Sequence, residues 1–273
     1  MNNSSDESIN KIKIFALNIR KKILDMSLIA GADSSHFGGA LSIVEIVSVL
    51  FSDIMRINKK NPLWEDRDRF ILSKGHACLA LYCVLKEKRF INEKTLKSFG
   101  KDNSILMSHT THKIKGIELS TGSLGHGLPV ASGIALANKI KKKNFKTFVL
   151  LSDGELDEGS NWEALLFSSH HKLKNLIVIV DYNKIQSMDT IKNTMNLEPL
   201  NKKFQSFGCK TIKIDGHNFS QIIKAINTKT SKPLVIIANT LKGKGIKFME
   251  NSVLWHYKPL DEEHYLKAKN ILK

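Results

Sequence analysis

Two oxygen-bearing side chains follow neighbouring apolar runs and could together bind a metal ion. Asp153 ends the run "FVLLSD" and Asn183 ends the next run, "LIVIVDYN". If the two runs are adjacent parallel strands, both side chains lie at one edge of the sheet. A carboxylate and an amide oxygen are hard ligands that complete an octahedral Mg²⁺ shell with a carbonyl and diphosphate oxygens. The alternative is purely structural, because an isolated Asp-Gly pair more often ends a strand and caps a turn.

The residues around Asp153 fit a site for an anion. Gly154 allows close approach of backbone to phosphate, and a helix predicted to begin near Gly159 would direct its N-terminal end to the same region. The segment is also unusually acidic for this chain. We assign Glu155 and Asp157 mostly to solvent or to the electrostatics of a helix N-terminus.

The elements that must position these residues are short buried strands alternating with helices. Helical patterns cover residues 8–30 and 41–55, "CLALYCVLKEK", the segment after "STGSLGH", "NWEALLFSSHHK" and "NFSQIIKAINTK". The apolar, β-branched runs are "RFIL", "KTFVLLSDG", "NLIVIVDYN", "CKTIKID" and "PLVIIANTLKG". This alternation predicts an α/β fold with a doubly wound, mostly parallel sheet flanked by helices, and ligands beyond the carboxyl ends of the strands. We expect a single domain over residues 1–273, with the first dozen residues frayed.

Composition excludes several classes of protein. The net charge is +16, but only five of the 42 basic residues are arginine, and the lysines are scattered through every segment. This indicates a solvated surface and a mild preference for anionic ligands, with no nucleic acid partner. No segment resembles a signal peptide or a membrane span, so we expect a cytoplasmic protein without a membrane partner. Cys78, Cys83 and Cys209 lack metal-ligand spacing and are predicted to be reduced core thiols.

The segment "SDGELDEGSNWEAL", followed by "NLIVIVDYNKI", resembles the thiamine-diphosphate motif of the transketolase family. The resemblance implies the thiamine-diphosphate-binding fold, specifically its diphosphate-binding domain. It also implies that Asp153, Asn183 and the main-chain oxygen of Ile185 bind Mg²⁺, for which Ca²⁺ or Mn²⁺ can substitute. Ser152 stands where the family usually has glycine, and we expect no loss of function from it.

The same resemblance assigns roles to the acidic and glycine residues beside the metal ligands. It places Gly154 and Glu155 among the residues that bind the cofactor. Glu158 and Glu163 match acidic positions that the family places at an interface between chains.

Two further segments resemble active-site signatures near the ends of the chain. "SSHFGGALS" implies contact between His36 and the substrate, although Phe37 stands where proline is common. "NTLKGKGIKFMENSVLWHYK" implies that Lys242 and His256 lie near the diphosphate and the substrate.

The middle of the chain carries two more signatures. "FILSKGHA" implies a position for His76 beside the diphosphate and the reacting carbonyl. "STGSLGHGLPVASGIALA" implies that Gly122 and Leu124 pack on the cofactor, with His126 replacing a frequent glutamine. His109, by its spacing ahead of this segment, matches another active-site histidine.

Four histidines in matched signatures indicate proton transfer. His36, His76, His109 and His256 are the predicted catalytic residues. With pKa values near the operating pH, neutral imidazoles would accept the hydroxyl proton of a ketose donor and protonate an aldose acceptor. Thiamine diphosphate would supply the carbanion sink. The remaining histidines are assigned structural roles.

The resemblance to the first domain of the family extends to Lys273, the last residue of this sequence. Family members that act as one chain are more than twice as long and carry a second domain with the glutamate that activates the cofactor. We therefore expect the N-terminal subunit of a split transketolase, a transferase active only with a C-terminal pyrimidine-binding subunit in an α2β2 assembly. It would transfer a two-carbon ketol unit between sugar phosphates.

Several alternatives stay open from the sequence. The chain could act on an unusual sugar, or be a component of another thiamine-diphosphate enzyme such as 1-deoxyxylulose-phosphate synthase or a keto-acid dehydrogenase. It could also be a non-catalytic nucleotide-binding module or, less favoured, a nucleic-acid binder. The four histidines favour sugar ketol transfer, because decarboxylation of a keto acid needs no base for a donor hydroxyl.

Overall fold

A computed structural model of the chain describes residues 2–31 and 36–272, so residues 32–35 of the loop before His36 lie outside the description. Its centre is a five-stranded sheet in the order β1-β2-β3-β5-β4, in which all four pairings are parallel. The strands are β1 (Arg69–Leu72), β2 (Thr147–Ser152), β3 (Leu176–Tyr182), β4 (Lys210–Asp215) and β5 (Leu234–Asn239). Each lies within a run predicted as a strand, so the α/β prediction is confirmed.

Helices cover both faces of the sheet. They are α1 (Asn2–Ala30), α2 (Phe37–Leu41), α3 (Val44–Val49), α4 (Cys78–Glu87), α5 (Glu93–Leu96), α6 (Gly127–Ile140), α7 (Gly159–His170), α8 (Ile191–Thr194), α9 (Leu200–Ser206), α10 (Phe219–Ile226) and α11 (Glu262–Ile271). None of the helices in the described ranges is both long and apolar enough to cross a bilayer.

Successive residues of the central strands enter two different cores. Phe148 and Leu150 join a core with α1, α3, α4 and α10, whereas Val149 and Leu151 join a second core with α6, α7 and α9. Because side chains alternate across a strand, burial on both faces requires an uninterrupted apolar run. This explains why these strands read as continuous hydrophobic segments in the sequence.

The predicted helix over residues 41–55 is broken. α2 ends at Leu41, α3 begins at Val44, and Leu50–Ile54 form a π-helical turn. At the interruption the Ser42 hydroxyl donates to Asp181 of β3 at 2.6 Å. This long-range bond ties the chain to the sheet where a continuous helix was expected.

The register of the sheet brings functional positions together. Ser152 of β2 pairs with Asp181 of β3, so Asp153 and Asn183 emerge side by side beyond the carboxyl ends of the two strands. Asn239 of β5 pairs with Tyr182, which places the segment after β5 at the same edge. The predicted juxtaposition of Asp153 and Asn183 is confirmed.

The three cysteines are buried free thiols, as predicted. Burial raises the pKa of Cys78 to about 12. A thiol with so high a pKa stays protonated at neutral pH and behaves as a small apolar side chain.

Candidate active site

A cleft of about 260 Å³ lies beyond the carboxyl ends of β2 and β3. It is lined by His36, Gly39, Lys74, His76, His109, Gly122, Leu124, Ser152, Asp153, Gly154, Asn183, Ile185, Gln186, Ser187, Lys242, His256 and Tyr257. Every site residue predicted from the sequence lines this cleft, except Glu155. Residues from segments more than 200 positions apart therefore meet at one place.

The Asp153 carboxylate lies at the floor of the cleft and is 1 % exposed. It accepts the backbone N–H groups of Gly154, at 2.8 Å, and of Lys184. Burial raises the pKa of Asp153 to about 7, and the nearby charge of Asp181 acts in the same direction. Asp153 caps the turn, as the structural alternative held, but its environment also favours a bound cation, which would stabilise the charged form.

The donor set around Asp153 suits a hard divalent cation. The Asn183 amide donates to Asp181 at 3.0 Å, and its Oδ1 accepts the N–H of Ile185 at 3.1 Å. One carboxylate, one amide oxygen and the carbonyl of Ile185 are the ligand types that Mg²⁺ prefers. Across residues 2–31 and 36–272 no three or more His, Cys, Asp or Glu side chains cluster to hold a metal, so neutral oxygens would complete the shell.

Two buried ammonium groups face this end of the cleft. Lys242 lies 3.1 Å from the carbonyl of Ile185, 3.2 Å from that of Gln186, and in contact with His256 Nδ1. Its pKa is lowered to about 8, chiefly by burial and then by the charge of Lys74. Both lysines are positioned to attract an anion such as a diphosphate.

Lys74 and Asp181 form a buried ion pair that the sequence did not predict to be functional. Lys74 is 1 % and Asp181 0 % exposed; the ammonium also donates to the carbonyl of Gly39 at 3.1 Å. Asp181 further accepts the hydroxyls of Ser42 and Thr240. The available signal was an aspartate inside the apolar run "LIVIVDY", since a buried charge requires a partner.

Four imidazoles line the cleft together with the candidate metal ligands. The ring of His36 lies 5.3 Å from that of His76, 5.0 Å from that of His256 and 6.3 Å from that of His109, between centroids. The backbone N–H of His36 donates to the carbonyl of His256 at 3.0 Å, and His36 has a φ of 68°. The residues matched to the family's histidines therefore form one cluster.

The clustered histidines have low pKa values in the free chain. Burial, followed by the charge of His109, lowers the pKa of His36 to about 4; burial, followed by Lys242, lowers the pKa of His256 to about 3. Burial also lowers the pKa values of His76 and His109. The expectation of values near the operating pH is wrong for the free chain, in which the four imidazoles are neutral at pH 7.

Glu155 is fully buried, so the expected contact with solvent is wrong, whereas its expected place at a helix N-terminus agrees with its position in the first turn of the short helix Gly154–Asp157. Its carboxylate accepts the N–H of Gly125 at 2.9 Å, the hydroxyl of Ser73 and the N–H of Ser152 at 3.3 Å. It thereby fixes the glycine-rich segment, in which Gly125 has a φ of +84°. Glu155 does not line the cleft, and its role toward a cofactor stays a prediction.

Asp157 is half-buried in the first turn of the short helix Gly154–Asp157, so of the two expected settings the helix N-terminus fits better than solvent. One of its carboxylate oxygens accepts the side-chain amide of Gln186 at 2.9 Å. Since Gln186 lines the cleft, Asp157 orients a residue of the site.

A second hydrogen-bond network holds the segment that carries Lys242. Arg20 of α1 donates to Glu45 of α3 at 2.6 Å and to the carbonyl of Lys244 at 3.0 Å. His217 Nδ1 lies 2.9 Å from Glu45, and the N–H of Leu241 donates to His217 Nε2 at 2.8 Å. The network thus bonds to both sides of Lys242.

Replacing Glu45 with leucine should lower the free energy of unfolding by about 3–5 kcal/mol, because it leaves Arg20 buried without its counter-charge. Equilibrium unfolding in urea, followed by circular dichroism, would measure the change. Glu7→Leu is the matched control, since Glu7 pairs with Lys11 on an exposed helix surface and should contribute little. Equal destabilisation by the two variants would contradict a stabilising role for the buried pair of Arg20 and Glu45.

Comparison with known proteins identifies the family. Residues 14–273 match the family described as transketolase, thiamine diphosphate binding domain. The chain belongs to the transketolase family. The resemblance found in the sequence motifs is therefore confirmed, and so is the fold that it implied.

Within the transketolase family, several similar proteins are named as single subunits of an enzyme. The chain is 40 % identical over 260 residues to a protein of Actinobacillus succinogenes named as one subunit of apulose-4-phosphate transketolase, covering 94 % of this chain and 92 % of that one. It is 38 % identical over 237 residues to a protein of a Clostridium species named as one subunit of 6-deoxy-6-sulfo-D-fructose transketolase, covering 85 % of this chain and 86 % of that one.

Solved transketolases share the fold. The crystal structure of the transketolase of Campylobacter jejuni superposes with a TM-score of 0.88 and 32 % sequence identity. The match covers 97 % of this chain and 43 % of that one. The transketolase fold described here thus corresponds to less than half of that protein.

Proposed function

We propose that this transketolase-family chain is the cofactor-binding subunit of a split transketolase. Together with a C-terminal pyrimidine-binding subunit, it would transfer a two-carbon ketol unit from a ketose phosphate to an aldose phosphate. The observation that carries the proposal is the single cleft in which Asp153, Asn183 and Lys242 face a cluster of four histidines. The oxygen ligands and Lys242 suit a metal diphosphate, and the imidazoles suit proton transfer with a hydroxylated substrate.

The diphosphate end would be held by groups of this chain. Asp153, Asn183 and the carbonyl of Ile185 would coordinate Mg²⁺, or Ca²⁺ or Mn²⁺ in its place. Gly154 adjoins these ligands, and a Cβ there would meet the Gln186 side chain at 3.0 Å. Lys242 would pair with phosphate oxygens.

The histidines would handle protons at the other end. Bound thiamine diphosphate supplies the electron sink for carbon–carbon cleavage. His36 and His256, neutral in the free chain, are able to accept a proton from a donor hydroxyl. An anionic ligand in the cleft would raise the pKa values of all four imidazoles toward the working range, because a nearby negative charge favours the imidazolium.

A second candidate function differs from the first in the identity of the sugar substrate. Two relatives that are 38–40 % identical over most of their length are named for apulose-4-phosphate and 6-deoxy-6-sulfo-D-fructose. A substrate outside the common sugar phosphates is therefore the second candidate, within the same reaction class. Both candidates use the same cleft and the same proton transfers.

The exposed face of α6 and α7 supports an α2β2 assembly. Ile140 at the end of α6 is 71 % exposed, and on α7 Leu166 is 62 % and Phe167 40 % exposed; Glu158, which precedes α7, and Glu163 within it are also exposed. Exposed apolar side chains grouped on packed helices are typical of an interface. We assign this face to contact between two copies of this chain, as the family resemblance implied for the two glutamates.

Mixing the two chains would test the function. The purified chain should show no ketol transfer between a ketose phosphate and an aldose phosphate, and activity should appear on adding the C-terminal partner. Turnover by the pure chain would contradict the two-chain requirement. A mixture that binds thiamine diphosphate with Mg²⁺ but decarboxylates a keto acid in place of transferring a ketol unit would reject the reaction.

A binding assay distinguishes the proposed function from the two non-catalytic alternatives, a nucleotide-binding module and a nucleic-acid binder. A thermal-shift measurement should show stabilisation only when thiamine diphosphate and Mg²⁺ are both present. A nucleotide-binding module would lack this joint dependence. A nucleic-acid binder would show steeply salt-dependent retention of DNA or RNA.

A further inference from the structure

Tyr257 is a large side chain at the mouth of the cleft that has no role in the function proposed so far. It follows His256 directly and lines the cleft together with it. Its ring centroid lies 5.1 Å from that of His36 and 4.4 Å from that of His256. The ring therefore borders the histidines that face the substrate.

Packing does not account for the position of Tyr257. Its side chain is 56 % exposed, whereas the neighbouring Trp255 is 4 % exposed and packs in the core. Within residues 2–31 and 36–272 its hydroxyl makes no hydrogen bond. An aromatic ring that is held at a cleft with an unused hydroxyl suits contact with a ligand.

The chemistry of the surrounding cleft indicates which part of a ligand Tyr257 would meet. The cations Lys74 and Lys242 are buried and already have protein partners: Lys74 pairs with Asp181 of β3, and Lys242 contacts the carbonyl of Ile185 and His256 Nδ1. Tyr257 packs its ring against His36 and His256 and adds a neutral ring and one hydroxyl to the lining of the cleft. Such a surface fits the C–H and O–H groups of a carbon chain better than it fits a phosphate.

We propose that Tyr257 is a specificity-determining residue that contacts the carbon chain of the sugar beyond the reacting carbonyl. The inference rests on the proposed ketol transfer and deepens it. The ring would favour acceptors long enough to lie against it, and its hydroxyl would bond to a sugar hydroxyl. Short acceptors would react without using Tyr257.

The test compares acceptors of different length in the two-chain enzyme. Tyr257→Ala, Tyr257→Phe and wild type would be assayed with glycolaldehyde, an aldotetrose 4-phosphate and an aldopentose 5-phosphate. Tyr257→Ala should lower kcat/KM for the two longer acceptors about tenfold, through KM, and leave glycolaldehyde unchanged. Tyr257→Phe should keep most of the kcat/KM preference for the two longer acceptors, because the ring remains. It should lose only the part of that preference that the hydroxyl contributes.

Leu254→Ala is the matched control, because Leu254 lies in the same turn, is 65 % exposed and does not line the cleft. It should leave all three acceptors unaffected. An unchanged ratio between long and short acceptors in Tyr257→Ala would overturn the proposal. An equal loss for all three would also overturn it, since that indicates disturbed histidines.

A binding measurement keeps this inference separate from the proposed function. If the wild-type assembly transferred no ketol unit, the proposed reaction would fail. Calorimetric titration of the same assemblies with an aldopentose 5-phosphate would then test whether Tyr257 contacts the sugar. Binding about tenfold weaker in Tyr257→Ala would support the contact, and equal binding would overturn it.

Discussion

Asp153→Asn should weaken magnesium-dependent binding of thiamine diphosphate by about 100-fold or more. Substitutions of groups that merely orient a metal ligand already reduce affinity about 10–100-fold, and Asp153 is proposed as a ligand itself. Asparagine loses only one acceptor, which bonds to the N–H of Gly154, and it keeps one oxygen, which can accept the N–H of Lys184. Alanine would leave that buried N–H unpaired, at a cost of about 1–3 kcal/mol, and would confuse stability with binding.

Calorimetric titration of the two-chain enzyme with thiamine diphosphate, with and without Mg²⁺, would measure the effect of Asp153→Asn. Asp189→Asn is the control, because Asp189 lies on the loop after Ile185, where its carboxylate accepts hydrogen bonds from Thr190 and Asn193, and it does not line the cleft. The control should bind like wild type. Wild-type affinity in Asp153→Asn would remove Asp153 from the metal site.

His36→Ala and His109→Ala should leave cofactor affinity nearly unchanged and lower kcat by about 100- to 10,000-fold, the usual contribution of a positioned acid or base. Neither imidazole is among the proposed metal ligands, so their removal should affect proton transfer more than diphosphate binding. Steady-state kinetics of the assembled enzyme would give kcat, and the same titration would give cofactor affinity.

His112→Ala provides the control for the histidine variants. His112 is exposed, bonds to Ser120 at 2.8 Å and does not line the cleft. It should retain wild-type kcat. A loss confined to cofactor affinity in His36→Ala or His109→Ala would contradict a substrate role for these residues.

The strands, and the meeting of Asp153 with Asn183 at the sheet edge, could be predicted from sequence because their signals are local. Apolar β-branched runs mark buried parallel strands, and Asp153 and Asn183 follow two of them directly. The break in the helix over residues 41–55 could not be predicted, because it involves a hydrogen bond from Ser42 to Asp181 in a distant strand. Local periodicity carries no information about such a contact.

The predictions for the solvent exposure of Glu155 and the pKa values of the histidines failed for the same reason, because both depend on contacts between residues distant in the sequence. Glu155 follows a strand and reads as a solvated acid, yet it is buried by contacts with Ser73 and Gly125. The histidine pKa values depend on burial and on the mutual approach of His36, His109 and the lysines, which only the folded chain produces. Sequence patterns identified the chemical groups, but not the charge states that folding gives them.

The bonds around Lys242 also bear on the order in which the protein folds. The contact between Arg20 and Lys244 joins residues 224 positions apart, so it closes a loop that contains most of the chain. Loop-closure entropy makes contacts of such separation slow to form. We therefore expect the segment carrying Lys242 to dock late in folding, and during synthesis the cleft can be completed only once residues 242–256 have left the ribosome.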